Sequence, residues 1–255
     1  MRMKTLLQWI TMVSLASTAI HAQTNMPADA HPKFEVATIK PSDPADTSTG
    51  FHTSGRRVSI ENQPLRSMFS FAYGIHKDQI AGAPTWFETD KYDIDGVPDV
   101  EGEPSLKQYQ EMVRAILADR FHVKFRTETR QLNIYSITIA KGGPKIKKTA
   151  SAPNSQPDQT TNSKDSQLIM RITNNTMDEF ALGMQFFMNR PIVNQTGLDG
   201  RYDFTLTWTP DSSQTTDGAP GIFTAAQEQL GLKIEATKGP AQVYIIDHIE
   251  RPSEN

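Results

Sequence analysis

Two periodicities of apolar residues divide this chain into strands and helices. Alternation of apolar and polar residues predicts strands over the stretches 34–39, 57–61, 91–96, 121–125, 133–139, 168–172, 202–208, 232–235 and 243–249. Apolar residues spaced three or four apart predict helices within 65–73, 106–117, 177–187 and 222–230. Strands and helices therefore follow one another in a mixed order, which predicts an α+β protein.

The starts and ends of the helices have local signals. Ser105 with Gln108, and Thr176 with Glu179, have the spacing of a capping box at a helix start. Gly74 stands where the first helix should end, because glycine adopts the left-handed conformation of a helix C-terminus without strain. The segments 121–125 and 133–139 suggest a hairpin, and we expect Lys238-Gly239-Pro240 to form the turn between the last two strands.

The second half of the chain repeats the plan of the first half. Residues of the first half match residues of the second at Ile60/Ile172, Asn62/Asn174, Leu65/Met177, Tyr92/Tyr202 and Asp93/Asp203. Each half has the order strand-helix-strand-helix-strand-strand. We therefore predict an internal duplication that gives two related α+β modules, packed together or sharing a sheet.

Composition sets the expected boundaries of these modules. Residues 149–167 are almost entirely polar, with no large apolar side chain, which predicts a flexible linker. The first module would then cover 33–148 and the second 168–251. Residues 1–22 have a basic start, an apolar core too short for a membrane span and a small residue at position 22, which predicts a cleaved signal peptide. We expect a periplasmic or extracellular protein with no transmembrane segment after cleavage.

Several segments resemble a family of exported proteins of unknown function that is abundant in soil Acidobacteria. The matching runs are FEVATIKPS from Phe34, IAGAPTW from Ile80, LADRF from Leu117, AKGGPK from Ala140, TGLDGRYDF from Thr196 and QLGLK from Gln229. Some relatives in that family carry the domain beside a membrane metallopeptidase, which implies a sensing or docking role. Each half is also similar in topology to the short N-terminal domain of secretins and TonB-dependent receptors, a small interaction module.

The chain carries no sequence signature of a common catalytic site. It has no cysteine, and no Gly-x-Ser-x-Gly, Ser-x-x-Lys or His-Glu-x-x-His motif occurs. Asp247 and His248 are neighbours in a predicted strand and should point to opposite faces, so they cannot form a catalytic dyad. Asp93 and Asp95 share one strand face, which a solvated surface explains without a metal. The net charge of −3 argues against a nucleic acid partner.

We therefore predict a cofactor-free, non-catalytic binding or interaction module, with an unknown protein or small ligand of the cell envelope as its partner. The candidate contact residues are Trp86, in a proline-flanked connection, and four residues around the Asp199-Gly200 turn: Arg190, Arg201, Tyr202 and Asp203. One alternative is a hydrolase whose site is assembled between the halves from distant residues such as Asp203 and His248. Another is a structural protein of the envelope.

Overall fold

The protein has an α+β fold, as the sequence predicts, and its described residues form three four-stranded sheets. A computed structural model describes residues 25–152, 155, 157–210 and 220–252. The predicted signal peptide, at 1–22, lies outside the described residues. Within the described part of the chain, no helix is both long enough and apolar enough to cross a membrane.

The first half builds one outer sheet and three helices. Its elements are β1 (Phe34–Pro41), β2 (Gly50–Ser54), β3 (Arg57–Pro64), α1 (Leu65–Tyr73), β4 (Ile80–Ala81), α2 (Trp86–Thr89), β5 (Lys91–Pro98), α3 (Leu106–Asp119) and β6 (Lys124–Ile139). The outer sheet has the strand order β1-β5-β3-β2, with every neighbouring pair antiparallel. A 3-10 turn, Lys77–Gln79, precedes β4.

The second half builds the other outer sheet in the same order. Its elements are β7 (Lys147–Lys148), β8 (Asp158–Lys164), β9 (Gln167–Asn175), α4 (Met177–Met184), β10 (Ile192–Asn194), β11 (Tyr202–Trp208), α5 (Ile222–Ala225) and β12 (Leu232–His248). This sheet has the order β7-β11-β9-β8, again all antiparallel. A 3-10 turn (Gln185–Phe187) follows α4, and a π-helical turn (Ala226–Leu230) follows α5.

The two long strands, β6 and β12, form an antiparallel pair at the centre of the third sheet, and we call this pair the ribbon. The sheet order is β10-β6-β12-β4, and the short outer strands run parallel to the long ones. One end of the ribbon supplies Phe125 and Ile246 to the first apolar core. The other end supplies Ile137 and Ile234 to the second core. Each half therefore packs its last strand against both cores.

The ribbon replaces two predicted turns. The hairpin expected between 121–125 and 133–139 is wrong, because β6 continues through both segments as one strand. The turn expected at 238–240 is also wrong, because Gly239 and Pro240 lie inside β12 and pair with Leu132 and Gln131. Strand β4 pairs with β12 only at Tyr244 and Ile245. Among the described strands, one side of β12 is therefore open at Pro240, where a missing N–H leaves no partner unpaired.

The expectation of a flexible linker over 149–167 needs a similar correction. Residues 158–164 form β8, which pairs with β9 along its whole length. Strand β8 lies at the edge of its sheet and all its residues are at least partly exposed. Backbone hydrogen bonds to a neighbour stabilise an edge strand without apolar side chains, so the polar composition indicates exposure here and not disorder. The polar segment 42–55, which also has the composition of a loop, likewise contains β2. The module boundaries at 33–148 and 168–251 stay predictions.

The cores account for the direction in which each main helix faces. On α1, Leu65, Met68, Phe69 and Ala72 are completely buried in the first core. On α4, Met177, Phe180, Ala181 and Met184 are buried in the second core. The opposite face of each helix is left to line the space between the halves.

Helix α3 fixes the C-terminal end of α1. The side chains of Gln110 and Arg114, one turn apart on α3, donate to the carbonyl oxygens of Phe71 (2.9 Å) and Ala72 (2.6 Å). These carbonyls belong to the last turn of α1, beyond the reach of its regular hydrogen bonds, and the Phe71 carbonyl also accepts from the N–H of Gly74 at the helix end (3.3 Å). Gly74 then ends α1 in the left-handed conformation, at φ 62°. The chain that leaves α1 is therefore held in one position.

Candidate functional site

A cavity of about 510 Å³ opens between α1 and the end of α4, and we call it the α1–α4 cavity. Its size is typical of small-molecule sites, which span roughly 300–1,000 Å³. The first half lines it with residues that include Arg66, Ser67, Ser70, His76, Lys77 and Glu88. The second half lines it with Leu182, Gln185, Phe186 and Met188. The cavity thus lies between the two halves of the chain.

Local structure sets the polar wall. Because the apolar stripe of α1 enters the core, Arg66 and Ser70 lie one turn apart on the other face of the helix. Beyond Gly74, His76 begins the next turn: its backbone N–H donates to Gln79 Oε1 (2.9 Å), and its Nδ1 accepts from the Asp78 N–H (3.2 Å). These two hydrogen bonds hold His76 and Lys77 at the edge of the cavity.

The apolar wall follows from the end of α4. Phe186 lies in the 3-10 turn and is 65% exposed, which is unusual for so large an apolar side chain. The two walls meet where Leu182 packs over Gly74; a Cβ at Gly74 would lie 2.7 Å from Leu182 Cδ1. Gln185 Nε2 also donates to the Gly74 carbonyl oxygen (3.3 Å). Gly74 therefore allows the close contact that joins the walls.

The charges on the cavity lining all come from the first half. Arg66 and Lys77 are cations, and Glu88 pairs with Arg66 through Nη1 and Oε1 at 2.8 Å. His76 is only 6% exposed, and burial lowers its pKa, so it is neutral near neutral pH. Two cations against one carboxylate leave a net positive charge on the lining.

Three lining residues have buried polar atoms that lack hydrogen-bond partners. These atoms are Arg66 Nε, Ser70 Oγ and Gln185 Oε1; in the described part of the chain, Asn175 Oδ1 is the fourth such side-chain atom. A buried polar atom without a partner costs about 1–3 kcal/mol. Native structures contain few of them, so their concentration around one cavity calls for a physical explanation. The three atoms are shielded from the cavity as well as from bulk solvent, so a ligand would reach them only after the surrounding side chains move.

A second cavity, of about 350 Å³, lies at the end of the ribbon near His122, His248 and Glu250. Glu250 Oε1 is 2.8 Å from His248 Nε2, and Glu250 Oε2 is 4.0 Å from His122 Nε2. Of the described residues that line this cavity, none is a serine or threonine. Among the described residues, no three His, Asp or Glu side chains are grouped so as to hold a metal ion.

Three of the predicted contact residues stabilise the fold of the second half. Arg201 donates to Glu179 Oε2 (2.9 Å) and to the Asn174 carbonyl oxygen (2.5 Å). Tyr202 is buried, and its hydroxyl donates to the Asp199 carbonyl oxygen (3.0 Å). Asp203 Oδ1 accepts from the Asn174 N–H (2.8 Å). This hydrogen bond, with one from Thr149, lowers the pKa of Asp203.

The other two predicted residues, Trp86 and Arg190, each form a contact between a cation and an aromatic ring. The Arg251 guanidinium is 4.7 Å from the centre of the Trp86 ring, while Trp86 packs on the first core. Arg190 lies 5.4 Å from the centre of the Tyr135 ring. None of the five predicted residues lines the α1–α4 cavity. Their contact with a partner stays a prediction.

Arg66, Ser70 and Gln185 line the cavity but were not among the contact residues predicted from the sequence. The sequence does mark two of them as one polar face, because Arg66 and Ser70 are spaced i, i+4 on the side of α1 opposite the apolar stripe. Such a pair normally indicates a solvated face. The other wall comes from residues 111 positions further along, counted from Gly74 to Gln185, and no local pattern connects them.

Comparison with known protein families assigns the chain to one of them. The family described as "Protein of unknown function (DUF3738)" matches residues 66–249. The chain belongs to this family. The DUF3738 match runs from α1 to the last strand, so it includes the whole ribbon and all of the α1–α4 cavity lining except Phe51, Gln63 and Pro64. No curated protein and no solved structure matches the chain significantly.

Proposed function

We propose that this DUF3738 protein is an exported, non-catalytic binding module of the cell envelope, and that its ligand site is the α1–α4 cavity. The observation that carries the proposal is the cavity itself, of about 510 Å³ between the two halves, which the cations Arg66 and Lys77 line together with the apolar side chains of Leu182, Phe186 and Met188. A concave space with apolar walls and a few polar groups is typical of a small-molecule site. The rigid ends of α1 and α4 would hold both walls ready for it.

The groups that an acid–base mechanism would use have structural partners. Asp203 accepts from the backbone of Asn174, Asp247 pairs with Arg126, and His248 pairs with Glu250. Asp203 and His248 therefore hydrogen-bond to different residues, and they lie in strands of different sheets. The His248–Glu250 pair is the observation that favours the hydrolase alternative, because a carboxylate can orient an imidazole base. The described residues of its cavity lining include no hydroxyl nucleophile, and we prefer the binding role.

The cellular setting is part of the same proposal. The signal-like residues 1–22 support export to the periplasm or beyond. The resemblance to an Acidobacteria family, and to the short N-terminal domains of secretins and TonB-dependent receptors, supports sensing or docking in the envelope. The shared strand order of the two outer sheets supports an internal duplication. A structural envelope protein would instead self-associate at high molar mass.

A thermal-shift screen tests the binding role. The probes are anionic, neutral and cationic small molecules, applied to the chain without residues 1–22. We expect at least one class to raise the melting temperature of the wild type. The same probe should fail on Ser67→Trp, because the indole would fill the cavity beside α1. Lys107→Trp, on the exposed side of α3, serves as the matched control and should respond like the wild type.

Two results would reject the proposal. One is a screen in which no probe of any charge stabilises the wild type. The other is stabilisation that persists in Ser67→Trp, which would place the ligand elsewhere. Export is tested separately by fractionating cells that express the chain with or without residues 1–22; recovery of both forms in the cytoplasm would contradict it.

A further inference from the structure

One stretch of the second half has a charge unlike that of the whole chain. Residues 129–157 contain basic residues but no aspartate or glutamate, although the chain has a net charge of −3. Four lysines of this stretch lie close together in sequence and all are exposed: Lys141, Lys145, Lys147 and Lys148. We call these four lysines, with Ile139 beside them, the lysine surface.

Backbone hydrogen bonds hold the first part of the lysine surface in place. Directly after β6, the Gly143 N–H donates to the Ala140 carbonyl oxygen (2.9 Å) and closes a turn. Both ends of this turn are tied to the end of the π-helical turn. The Ala140 N–H donates to the Gly231 carbonyl oxygen (3.0 Å), and the Lys145 N–H donates to the Leu230 carbonyl oxygen (2.8 Å). A Cβ at Gly143 would meet no other part of the chain within 4 Å, so the turn projects from the fold.

The charges of the lysine surface are not neutralised within the fold. Lys147 and Lys148 form β7, at the edge of the second outer sheet, where long side chains on either face can reach outward. Asp203 lies opposite Lys147 in the sheet, but its carboxylate accepts hydrogen bonds from Asn174 and Thr149. Among the described residues, no carboxylate lies within ion-pairing distance of any of the four lysines. The charge is therefore free to attract an anionic partner.

An apolar side chain lies next to these cations. Ile139 is the last residue of β6, two positions before Lys141, and is 39% exposed. Nucleic acids attract proteins mainly through their phosphate charges, and an exposed isoleucine adds nothing to such a contact. At a lipid surface, lysines contact the headgroups while apolar side chains enter the boundary of the acyl chains. The combination of lysines and isoleucine therefore favours a lipid surface.

We propose that the lysine surface docks the protein on a membrane whose headgroups are anionic. The lysines attract the headgroups, and Ile139 enters the interface beside the projecting turn. The described lining of the α1–α4 cavity includes no residue of the lysine surface. Ligand binding in the cavity and docking on a membrane are therefore tested independently, and either can fail without the other.

Co-sedimentation with lipid vesicles tests the docking. The protein used is the chain from residue 23 onward, which contains every described residue and omits the apolar segment that would bind lipid by itself. We expect it to bind vesicles of phosphatidylcholine mixed with phosphatidylglycerol, and to bind phosphatidylcholine alone at least about tenfold more weakly. Added salt should weaken binding to the anionic vesicles, because it screens the charges.

Removal of lysine charges should weaken docking in steps. The changes are Lys141→Gln, Lys147→Gln and Lys148→Gln, and each should weaken binding to the anionic vesicles about fivefold. Lys145 stays unchanged, because its Nζ donates to the Glu228 carbonyl oxygen (2.7 Å) and its loss would disturb the fold. The melting temperature of the triple variant should equal that of the wild type, since exposed lysines contribute little to stability. Lys141→Gln alone changes only the projecting turn and gives the same test if the triple variant does not fold.

Two further variants separate the lysine surface from a general effect of charge. Lys33→Gln, Lys91→Gln and Lys107→Gln together remove the same charge from exposed positions of the first half, and this control should bind almost as the wild type does. Ile139→Thr should weaken binding about threefold and leave its dependence on salt unchanged, because it removes only the apolar contact.

Four results would overturn the docking proposal. They are absence of binding to anionic vesicles, equal binding to neutral and anionic vesicles, equal losses in the lysine variant and its first-half control, and an Ile139→Thr variant that binds as tightly as the wild type. Duplex DNA serves as the competitor: if it binds more tightly than the vesicles at the same salt and loses binding in the same lysine variant, the surface is a nucleic acid site instead.

Discussion

The two outer sheets contain the same kind of backbone irregularity, but the residues around it differ. In each, two residues of one strand oppose a single aspartate of its neighbour: Glu61-Asn62 opposite Asp93, and Thr173-Asn174 opposite Asp203. Both asparagines have positive φ, 52° and 57°. In both, the asparagine N–H donates to the aspartate Oδ1, at 2.9 and 2.8 Å. Each sheet therefore has a β-bulge closed by an aspartate.

The support around each bulge is different. Asp93 also accepts from the Ser42 hydroxyl (2.6 Å), just beyond the eight-residue edge strand β1. In the second half Thr149, just beyond the two-residue edge strand β7, bonds to Asp203 in the same way, and Arg201 in addition ties the bulge to Glu179 at the start of α4. Both bulges thus share the backbone geometry and a hydroxyl donor to the aspartate, while the tie to a helix is present only at the second. Shared geometry with different support predicts different sensitivities to mutation.

The largest effects should come from the cores. The Phe69 ring lies 4.4–6.2 Å from the rings of Tyr73, Phe87, Phe125 and Tyr244, two of which are in the ribbon. Phe180 has a ring neighbour in Phe204, at 5.0 Å. Both residues are fully buried. We expect each change to alanine to lower the free energy of unfolding by about 3–5 kcal/mol, with Phe69→Ala the larger.

The ribbon should make the two cores unfold together. After removal of residues 1–22 the chain keeps two tryptophans, Trp86 on the first core and Trp208 in the second. Urea unfolding followed in Trp86→Phe and Trp208→Phe should therefore give the same midpoint, and Phe69→Ala should shift both signals. If Phe69→Ala leaves the Trp208 transition in place, the cores are independent and the ribbon does not couple them.

Mutations at the two bulges should give the next largest losses of stability, and the two losses should differ. Asp203→Ala leaves the N–H of Asn174 without a partner, and Asn174 is 2% exposed. The same change at Asp93 frees the N–H of Asn62, which is only partly buried and can reach water. We expect losses of about 2 kcal/mol for Asp203→Ala and about 1 kcal/mol for Asp93→Ala in urea unfolding. The exposed Asp199→Asn is the control and should change stability little.

The stability of the fold at low pH should separate the contribution of the charge on these aspartates from that of their hydrogen bonds. Burial tends to raise the pKa of Asp93, but hydrogen bonds from Ser42 and Asn62 outweigh it, so the pKa of both aspartates falls below the ordinary 3.8. A lowered pKa stabilises the fold above that value, and the contribution is lost as the pH falls through the lowered pKa. Asp203→Asn should therefore flatten the fall in stability below the ordinary value. An acid profile identical to that of the wild type would count against this account.

Local chemistry predicted the elements well. The capping boxes at Ser105 and Thr176 both form at the starts of α3 and α4. The alternation at 202–208 matches β11, and Gly74 ends α1 as predicted. Each of these signals lies within a few residues of the structure that it specifies, so it can be recognised without knowledge of the fold.

The ribbon and the cavity could not be predicted in the same way. The Arg126–Asp247 pair on the ribbon joins residues 121 positions apart, and the exposed polar middle of β6 resembles a loop in sequence. Pairing between distant strands leaves no mark on either strand alone. The cavity depends on that pairing, because the ribbon joins the two halves whose helices form its walls. Sequence patterns therefore predicted which residues of α1 and α4 enter the cores, but not that the remaining faces of the two helices meet.

The smallest predicted effect on stability concerns the hairpins β2–β3 and β8–β9, each at one edge of its outer sheet. Two-residue loops join β2 to β3 through Gly55-Arg56, and β8 to β9 through Asp165-Ser166. Gly55 has φ 58°, whereas Asp165 and Ser166 both have positive φ, 51° and 62°. Positive φ at both central residues favours a type I′ turn, in which a non-glycine residue is strained. We expect Ser166→Gly to raise the free energy of unfolding by about 0.5 kcal/mol, after the entropy cost of glycine.

Matched changes show whether β8 behaves as β2 does. Gly55→Ser should lower stability by about 1 kcal/mol, since it introduces the strain that Ser166→Gly removes. Ser166→Ala should not stabilise, because alanine has the same penalty at positive φ as serine. Amide hydrogen exchange across 158–164 should slow in Ser166→Gly, since the turn and the strand form together. Fast exchange there in both wild type and variant would favour the flexible linker that the polar composition first suggested over a paired edge strand.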